Sequence, residues 1–415
     1  MASRVRARVA RAGSARRRAF GCATIPGRRA EASRRGSAMS ERAGDRDLRA
    51  RLVRASALLR ERILPPRVEE IRYVNFAVTF LCNSRCRMCD IWTFYRRDPA
   101  RARGELTLEE IRRVFRSPLL RELRSIALTG GEVFLRRDFV EICGFFLEDF
   151  PRALITIPTG AINPELNARA LRRILSEYRP ASGRLYLSVS LDGIGETHDR
   201  QRGIRVYEKA WRVIEEALAL GGIRVGVSFT ITRENWRDLE RVYELARARG
   251  LEFNAQFAQN SETYYGRTDV EAAWTASELR EIARVLERIA AEHLDRLSWP
   301  RRALDVQAYY LRRLTVYQAR PRRLFTCYSG TQSFYLDPYG NVYPCVVLSK
   351  KLGNVRERSF EAIWLSPEAE RLRRSIAARE CACWTACEAM PSLGRSLRPV
   401  WENVFGFGAT CRRSR

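Results

Sequence analysis

The sequence predicts an α/β protein in which a parallel β/α array is followed by a small cysteine-rich domain. From about residue 71 to 300, β-rich runs alternate with amphipathic helical stretches, the pattern of parallel strands joined by crossover helices. Near Leu324 the pattern changes to short strands, turns and cysteines. A length of 415 residues with 46% hydrophobic composition leaves room for two such units around a sizeable core.

The chain opens with twelve arginines in residues 1–45, set against Glu31, Glu41 and Asp45 and without a hydrophobic period, so this arm is expected to be disordered. RRRAF at 16–20 superficially suggests a twin-arginine signal, but the GCATIP that follows is too short for an apolar segment, and Met39 is a candidate true start. Residues 46–70 read as an arginine-rich helix and lead-in. Six strands are expected at 72–80, 125–131, 153–159, 184–193, 224–232 and 252–259. Among the intervening helices, Thr107 with Glu110 forms a capping box, and Asn163 before Pro164 supplies an N-cap with proline at the first helical position. A long amphipathic helix over 275–297 and an arginine-rich linker over 301–323 end the array. In the last domain, 324–415, SFYLDPYGNVYPC reads as two strands around a turn at 337–340, which brings Cys327 and Cys345 towards one another.

The net charge of +27 would suit a nucleic-acid partner, but only Lys209, Lys350 and Lys351 among the 75 basic residues are lysines. Arginine in place of lysine nearly everywhere reads as codon bias in a GC-rich genome, because a phosphate-binding face would use both. Nucleic acid is therefore not an expected partner. No apolar run approaches the roughly 18 residues of a membrane span, and a cytoplasmic location is expected. Eleven cysteines without a secretion signal point to metal or redox chemistry rather than a disulfide framework. His198 and His293 are too few and too far apart for a Cys/His zinc site, so sulfur must hold the metal.

CNSRCRMC follows the first strand and places Cys82, Cys86 and Cys89 at the spacing Cx3Cx2C. A structural zinc site needs four ligands, and no fourth is present locally. Three thiolates on a four-iron cluster leave one iron open for a substrate or cofactor.

This motif resembles that of the radical S-adenosylmethionine (SAM) enzymes, and other residues extend the resemblance. LTGGE ends the second strand, with Gly130, Gly131 and Glu132 matching the family's Gly-Gly-Glu motif. SVSLDG ends the fourth, with Ser190 and Asp192 at the ribose- and carboxylate-binding positions. HDRQRG, containing His198, Asp199, Arg202 and Gly203, resembles a motif of the peptide- and cofactor-modifying branch. All lie at C-terminal strand ends, where β/α barrels build their sites. Gly130 and Gly131 would let a ligand approach the backbone, and Glu132 would accept a hydrogen bond from the ammonium group of SAM. The sequence departs from the family pattern at Met88, at Val133 and in PTGA over 158–161; Met88 is expected to pack against adenine through its thioether.

In the last domain, Cys327, twelve residues, Gly340, four residues and Cys345 resemble the opening of the SPASM and twitch auxiliary-cluster domains. GNVRERSFEAIW, over 353–364, resembles the segment joining their halves. CACWTAC, with Cys381, Cys383 and Cys387, and then Cys411, matches the remaining SPASM pattern incompletely. Two fully ligated clusters need eight cysteines and the domain holds six, so one auxiliary [4Fe-4S] cluster is expected on Cys327, Cys345, Cys383 and Cys387, with Cys381 as alternate ligand. A zinc site holding the hairpin is the alternative on spacing alone. Cys22 falls in the arm, and Cys143 reads as a buried inert thiol.

The resemblance implies a partial (β/α)6 barrel of TIM-like type. There a [4Fe-4S] cluster on Cys82, Cys86 and Cys89 binds SAM and cleaves it reductively to methionine and a 5'-deoxyadenosyl radical, which abstracts hydrogen from a substrate. An external electron donor such as flavodoxin or ferredoxin is implied. The auxiliary cluster would accept or relay an electron, or anchor substrate. Peptide modification is the first expectation and oxidation of a small-molecule or cofactor precursor the alternative. From a different class comes a zinc-stabilised basic nucleic-acid-binding protein. Thr232, Asn235 and Gln256 would point towards the barrel mouth, unless they only satisfy loop backbone groups, and Tyr264 and Tyr265 would line the entrance.

Overall fold

The computed structural model describes residues 66–406. The arm over 1–45, residues 46–65, Cys22 and Cys411 lie outside the described residues. All six expected strands form: β1 (Tyr73–Thr79), β2 (Ser125–Gly130), β3 (Leu154–Thr159), β4 (Leu185–Ser190), β5 (Arg224–Ile231) and β6 (Glu252–Phe257) pair in parallel, each with the next. Burial alternates along β3, β4 and β6. Their apolar residues, such as Ile155, Leu187 and Phe253, are buried, whereas Thr156, Ser188 and Asn254 face a cavity. The strands are thus buried against helices on one side and polar on the other.

After the cysteine loop comes the short α1 (Ile91–Arg97), and α2 (Leu108–Phe115) starts at the expected capping box, where Thr107 Oγ1 accepts from the Glu110 N–H and Glu110 from the Thr107 N–H. The crossovers then use α3 (Phe139–Asp149), α4 (Pro164–Tyr178), the pair α5 (Glu196–Arg202) and α6 (Tyr207–Leu220), and α7 (Leu239–Ala248). Asn163 caps α4 as expected, accepting from the Leu166 N–H. Cys143 is fully buried on α3, and burial pushes its thiol up to about 12.

The long helix α8 (Ala276–Asp295) is also closed by a capping box, Thr275 with Glu278. Residues 301–323, expected as a linker, carry α9 (Arg301–Leu304) and α10 (Gln307–Ala319). Tyr309, Tyr310, Leu311 and Leu314 are buried on α10, while Arg312 reaches Glu287 on α8 at 2.9 Å and Arg313 pairs with Glu402. The arginines sit at the rim of an apolar contact, and for that reason the segment reads as polar in sequence yet packs as a helix.

The expected hairpin forms from β7 (Ser333–Leu336) and β8 (Asn341–Tyr343), followed by β9 (Gly353–Asn354). Its placement is new: β7 runs parallel to β1, giving one open nine-stranded sheet in the order β6-β5-β4-β3-β2-β1-β7-β8-β9. The barrel is therefore partial, and the cysteine-rich segment extends the same sheet. Phe334 of β7 joins Phe115 on one side and Trp364 on the other, with centroids at 6.4 and 5.8 Å. Four helices finish the chain: α11 (Phe360–Trp364), α12 (Pro367–Ala377), α13 (Ala386–Leu393) and α14 (Leu397–Phe405). Among the described residues no helix is long and apolar enough to cross a membrane.

Candidate functional site

A cavity of about 320 Å³ opens at the C-terminal ends of the parallel strands, and Cys82, Cys86, Cys89, Gly130, Gly131, Glu132 and Ser190 line it together. The loop carrying the three cysteines is held on three sides. At β2, the Gly131 N–H donates to Thr79 O and the Glu132 N–H to Leu81 O, both at 2.8 Å. A Cβ on Gly130 would lie 2.0 Å from Thr79 O, and one on Gly131 would lie 2.2 Å from Leu81 O. The two glycines thus make room for the cysteine loop itself, where the sequence suggested room for a ligand.

The second support is the end of α5. The Arg85 and Arg87 N–H groups donate to Arg202 O and Gln201 O at 3.1 and 3.0 Å, and Ser84 Oγ donates to Arg202 O. Gly203 follows at φ +68°, where a Cβ would meet Arg85 O at 2.2 Å. The loop after β6 is the third, with the Asp90 N–H donating to Tyr265 O at 2.7 Å and Arg267 to Arg87 O at 2.8 Å. A carboxylate that sequence reasoning missed fixes the loop's start: Glu105 Oε1 accepts from Thr79 Oγ1, the Phe80 N–H and Tyr95 Oη. Its only sequence signal is an acid just before a helix cap.

Glu132 is buried, accepting from Thr159 Oγ1 and the Gly160 N–H at 2.9 Å. Burial pushes its carboxyl up to about 7, against the pull of those hydrogen bonds. Asp192 is fully buried and lies outside the cavity lining. It pairs with Arg202 at 2.5 Å and accepts from the Thr230 N–H at 2.6 Å. Arg202 in turn reaches Cys86 Sγ at 3.5 Å and lines the cavity. Burial works against its charge, but Asp192 and Cys86 more than offset that and raise its pKa. His198 is buried, and burial pushes its imidazole down to about 3. Its neutral ring accepts the Asp192 N–H at Nδ1, 2.9 Å away. HDRQRG is thus a brace: His198 and Arg202 fix the turn after β4, Asp199 accepts from the N–H groups of Val206 and Tyr207, and Gly203 admits the cysteine loop.

Met88 lines the cavity, and its Sδ accepts from Gln201 Nε2 at 3.2 Å. Thr232 and Asn235 do not line it; Asn235 accepts from the Thr232 N–H and donates to Asp192 O and Thr230 O, so it satisfies loop backbone. Gln256, Tyr264 and Tyr265 do line it.

A second, smaller cavity is lined by Cys327, Cys345, Cys381 and Cys383, with Arg323 and Glu388 beside them. Cys381, the alternate ligand from sequence, is part of this group. Cys387 lines the main cavity instead. The helix explains the division, because Cys387 and Glu388 are neighbours near the start of α13 and project about 100° apart. Glu388 reaches Ser329 Oγ and the Val346 N–H beside the smaller cavity. Arg323 donates to Cys381 Sγ at 2.8 Å. Burial raises the thiol pKa of Cys327, Cys345 and Cys383. In the main cavity it raises that of Cys82 and pushes Cys89 up to about 12, so these thiols shed protons as they take metal. Three thiols at a cavity beside a buried carboxylate, and four around a second space, suit one open and one closed iron–sulfur cluster.

Two family models match the chain: the radical SAM superfamily over residues 76–246, and SPASM, an iron–sulfur cluster-binding domain, over 327–388. The chain is 26% identical over 322 residues to Fe-coproporphyrin III synthase of Methanosarcina barkeri, covering 70% of this chain and 73% of that one. It is 22% identical over 311 residues to the antilisterial bacteriocin subtilosin biosynthesis protein AlbA of Bacillus subtilis, covering 74% of this chain and 62% of that one. Streptococcus suis SuiB, solved bound to precursor peptide SuiA, superposes with a TM-score of 0.52 at 14% identity over 77% of this chain and 69% of that one, a likeness of fold. An iron–sulfur domain over the C-terminal cysteines favours iron there over zinc.

Proposed function

Because the chain belongs to the radical SAM superfamily and carries a SPASM iron–sulfur domain, we propose that it modifies a peptide. When bound, the [4Fe-4S] cluster supplies the electron that splits SAM into methionine and a 5'-deoxyadenosyl radical, which takes hydrogen from the substrate. Cys82, Cys86 and Cys89 would hold that cluster, and Cys327, Cys345, Cys381 and Cys383 the auxiliary one. Glu132 would accept a hydrogen bond from the ammonium group of SAM, and Ser190, in the same cavity lining, would meet its ribose. Arg202 balances the charge of Cys86, and Asp192 acts on the site through Arg202. A flavodoxin or ferredoxin in the cytoplasm would supply electrons.

The observation that carries the peptide reading is the character of the cavity wall. Asn75, Thr156, Ser188, Ser228, Asn254 and Gln256 present neutral groups that pair with amides. Its arginine, Arg202, is already paired with Asp192, and among the described residues no lysine or second arginine lines the cavity. A cofactor precursor bearing several carboxylates, of the kind named for the Methanosarcina relative, would be desolvated there without a partner charge. The bacteriocin biosynthesis relative supports the same choice. The test supplies anaerobically reconstituted protein with SAM, dithionite and either a pool of short peptides or a more highly carboxylated iron tetrapyrrole from which Fe-coproporphyrin III would be made. A SAM-dependent mass change in a peptide is expected, and a change confined to the tetrapyrrole refutes the reading.

A further inference from the structure

We propose that Cys387 is a hydrogen-atom donor facing the substrate, and not a ligand of the auxiliary cluster. This rests on the assignment of the main cavity to SAM and substrate. Cys387 lines the same cavity as Cys82, Cys86 and Cys89. The smaller cavity is lined by four other cysteines, which meets the four-thiolate requirement of a closed cubane without it. An independent observation shows that the cavity is shaped for a ligand. Asn254 Oδ1 and Trp92 Nε1 belong to its lining and are buried without a hydrogen-bond partner, so a bound molecule has a donor and an acceptor to supply. Tyr264 and Tyr265 stand in the same wall with ring centroids 4.8 Å apart, and Tyr264 Oη is bonded to Thr129 Oγ1 at 2.9 Å.

The chemistry follows from bond strengths. The 5'-deoxyadenosyl radical breaks a substrate C–H bond and forms the 5' C–H bond of 5'-deoxyadenosine. Where the broken C–H bond was stronger than a thiol S–H bond, as at an unactivated carbon, the carbon radical left behind takes hydrogen from Cys387: its S–H bond breaks and a new substrate C–H bond forms. The resulting thiyl radical takes one electron from a one-electron reductant of the flavodoxin or ferredoxin class and one proton from solvent. The substrate has lost and regained one hydrogen atom, so its change is redox-neutral, and return of the hydrogen to the opposite face inverts the carbon centre.

SAM alone is sufficient as the probe. In D2O the thiol exchanges to S–D, and without substrate the 5'-deoxyadenosyl radical takes deuterium from it; dithionite and a solvent deuteron then restore the thiol. Label is scored per molecule of 5'-deoxyadenosine, in wild type, Cys387→Ser and Cys387→Ala, alongside iron content. Wild type is expected to give product labelled at C5', both variants to lose that label, and all three to hold about eight irons per chain. Equal labelling in all three overturns the donor role. Loss of about four irons from the variants makes Cys387 an auxiliary ligand and also overturns the proposal. If wild type forms no 5'-deoxyadenosine, the cavity assignment itself falls and takes the proposal with it, a result seen before any variant is compared.

Discussion

Gly203 and Gly250 have the same φ of +68°, but a Cβ on Gly203 would lie 2.2 Å from Arg85 O whereas one on Gly250 would meet nothing within 4 Å. Alanine at Gly250 should therefore cost only the left-handed backbone penalty, roughly 1–2 kcal/mol. At Gly203 the same penalty is joined by displacement of the cysteine loop. The hydrogen bonds from Arg85, Arg87 and Ser84 to the end of α5 are then lost, at about 1 kcal/mol each. The sum is roughly 4 kcal/mol. For a unit of this size, melting shifts by about 1.5 °C per kcal/mol, so Gly250→Ala should melt about 2 °C lower and Gly203→Ala about 6 °C lower. The functional difference should be larger than the thermal one, because the displaced loop carries Cys82, Cys86 and Cys89. Melting, iron content and 5'-deoxyadenosine formation are measured on both variants. Gly203→Ala should lose SAM-cluster iron and cleavage while Gly250→Ala keeps both. Equal iron and equal cleavage in the two would refute the brace between α5 and the cysteine loop.

Replacing Cys82, Cys86 and Cys89 together by alanine should abolish reductive SAM cleavage, with iron falling from about eight to about four per chain; undiminished 5'-deoxyadenosine would refute the assignment. Cys345→Ala and Cys381→Ala should each lower iron by about four without abolishing cleavage, because a closed cluster has no open iron for SAM; full iron in Cys381→Ala would remove it from the ligand set. The Glu132 carboxyl sits at about 7 and must be ionised to accept the SAM ammonium. Affinity for SAM, measured by equilibrium binding, should therefore rise with pH up to about 7 and weaken by up to about tenfold for each unit below it. In Glu132→Gln that slope should vanish.

Much of this was legible in the sequence because it is written locally. Strand alternation over 153–159 and 184–190, the capping box at Thr107 and the turn at 337–340 each depend on neighbours within a few residues, and all are present in the structure. The Cx3Cx2C loop and Gly-Gly-Glu were legible for the same reason, and they meet at the cavity. Other features were not. Asp192 and Arg202 are ten positions apart, and only the fold turns them into a buried pair, with Arg202 in the cavity wall and Asp192 behind it. Glu105 reads as a surface acid until β1 ends against it.

The division of the C-terminal cysteines shows the boundary most clearly. The sequence by itself determined that six thiols would gather in the last ninety or so residues, that Cys327 and Cys345 would be joined by a hairpin, and that an α/β array would precede them. Which thiol faces which space was decided by the start of α13, because one step along a helix turns a side chain by about 100°. The pairing of β7 with β1 then sets those spaces on one continuous sheet. Spacing along the chain counts ligands. Direction in space assigns them, and direction depends on contacts between segments that no local pattern records.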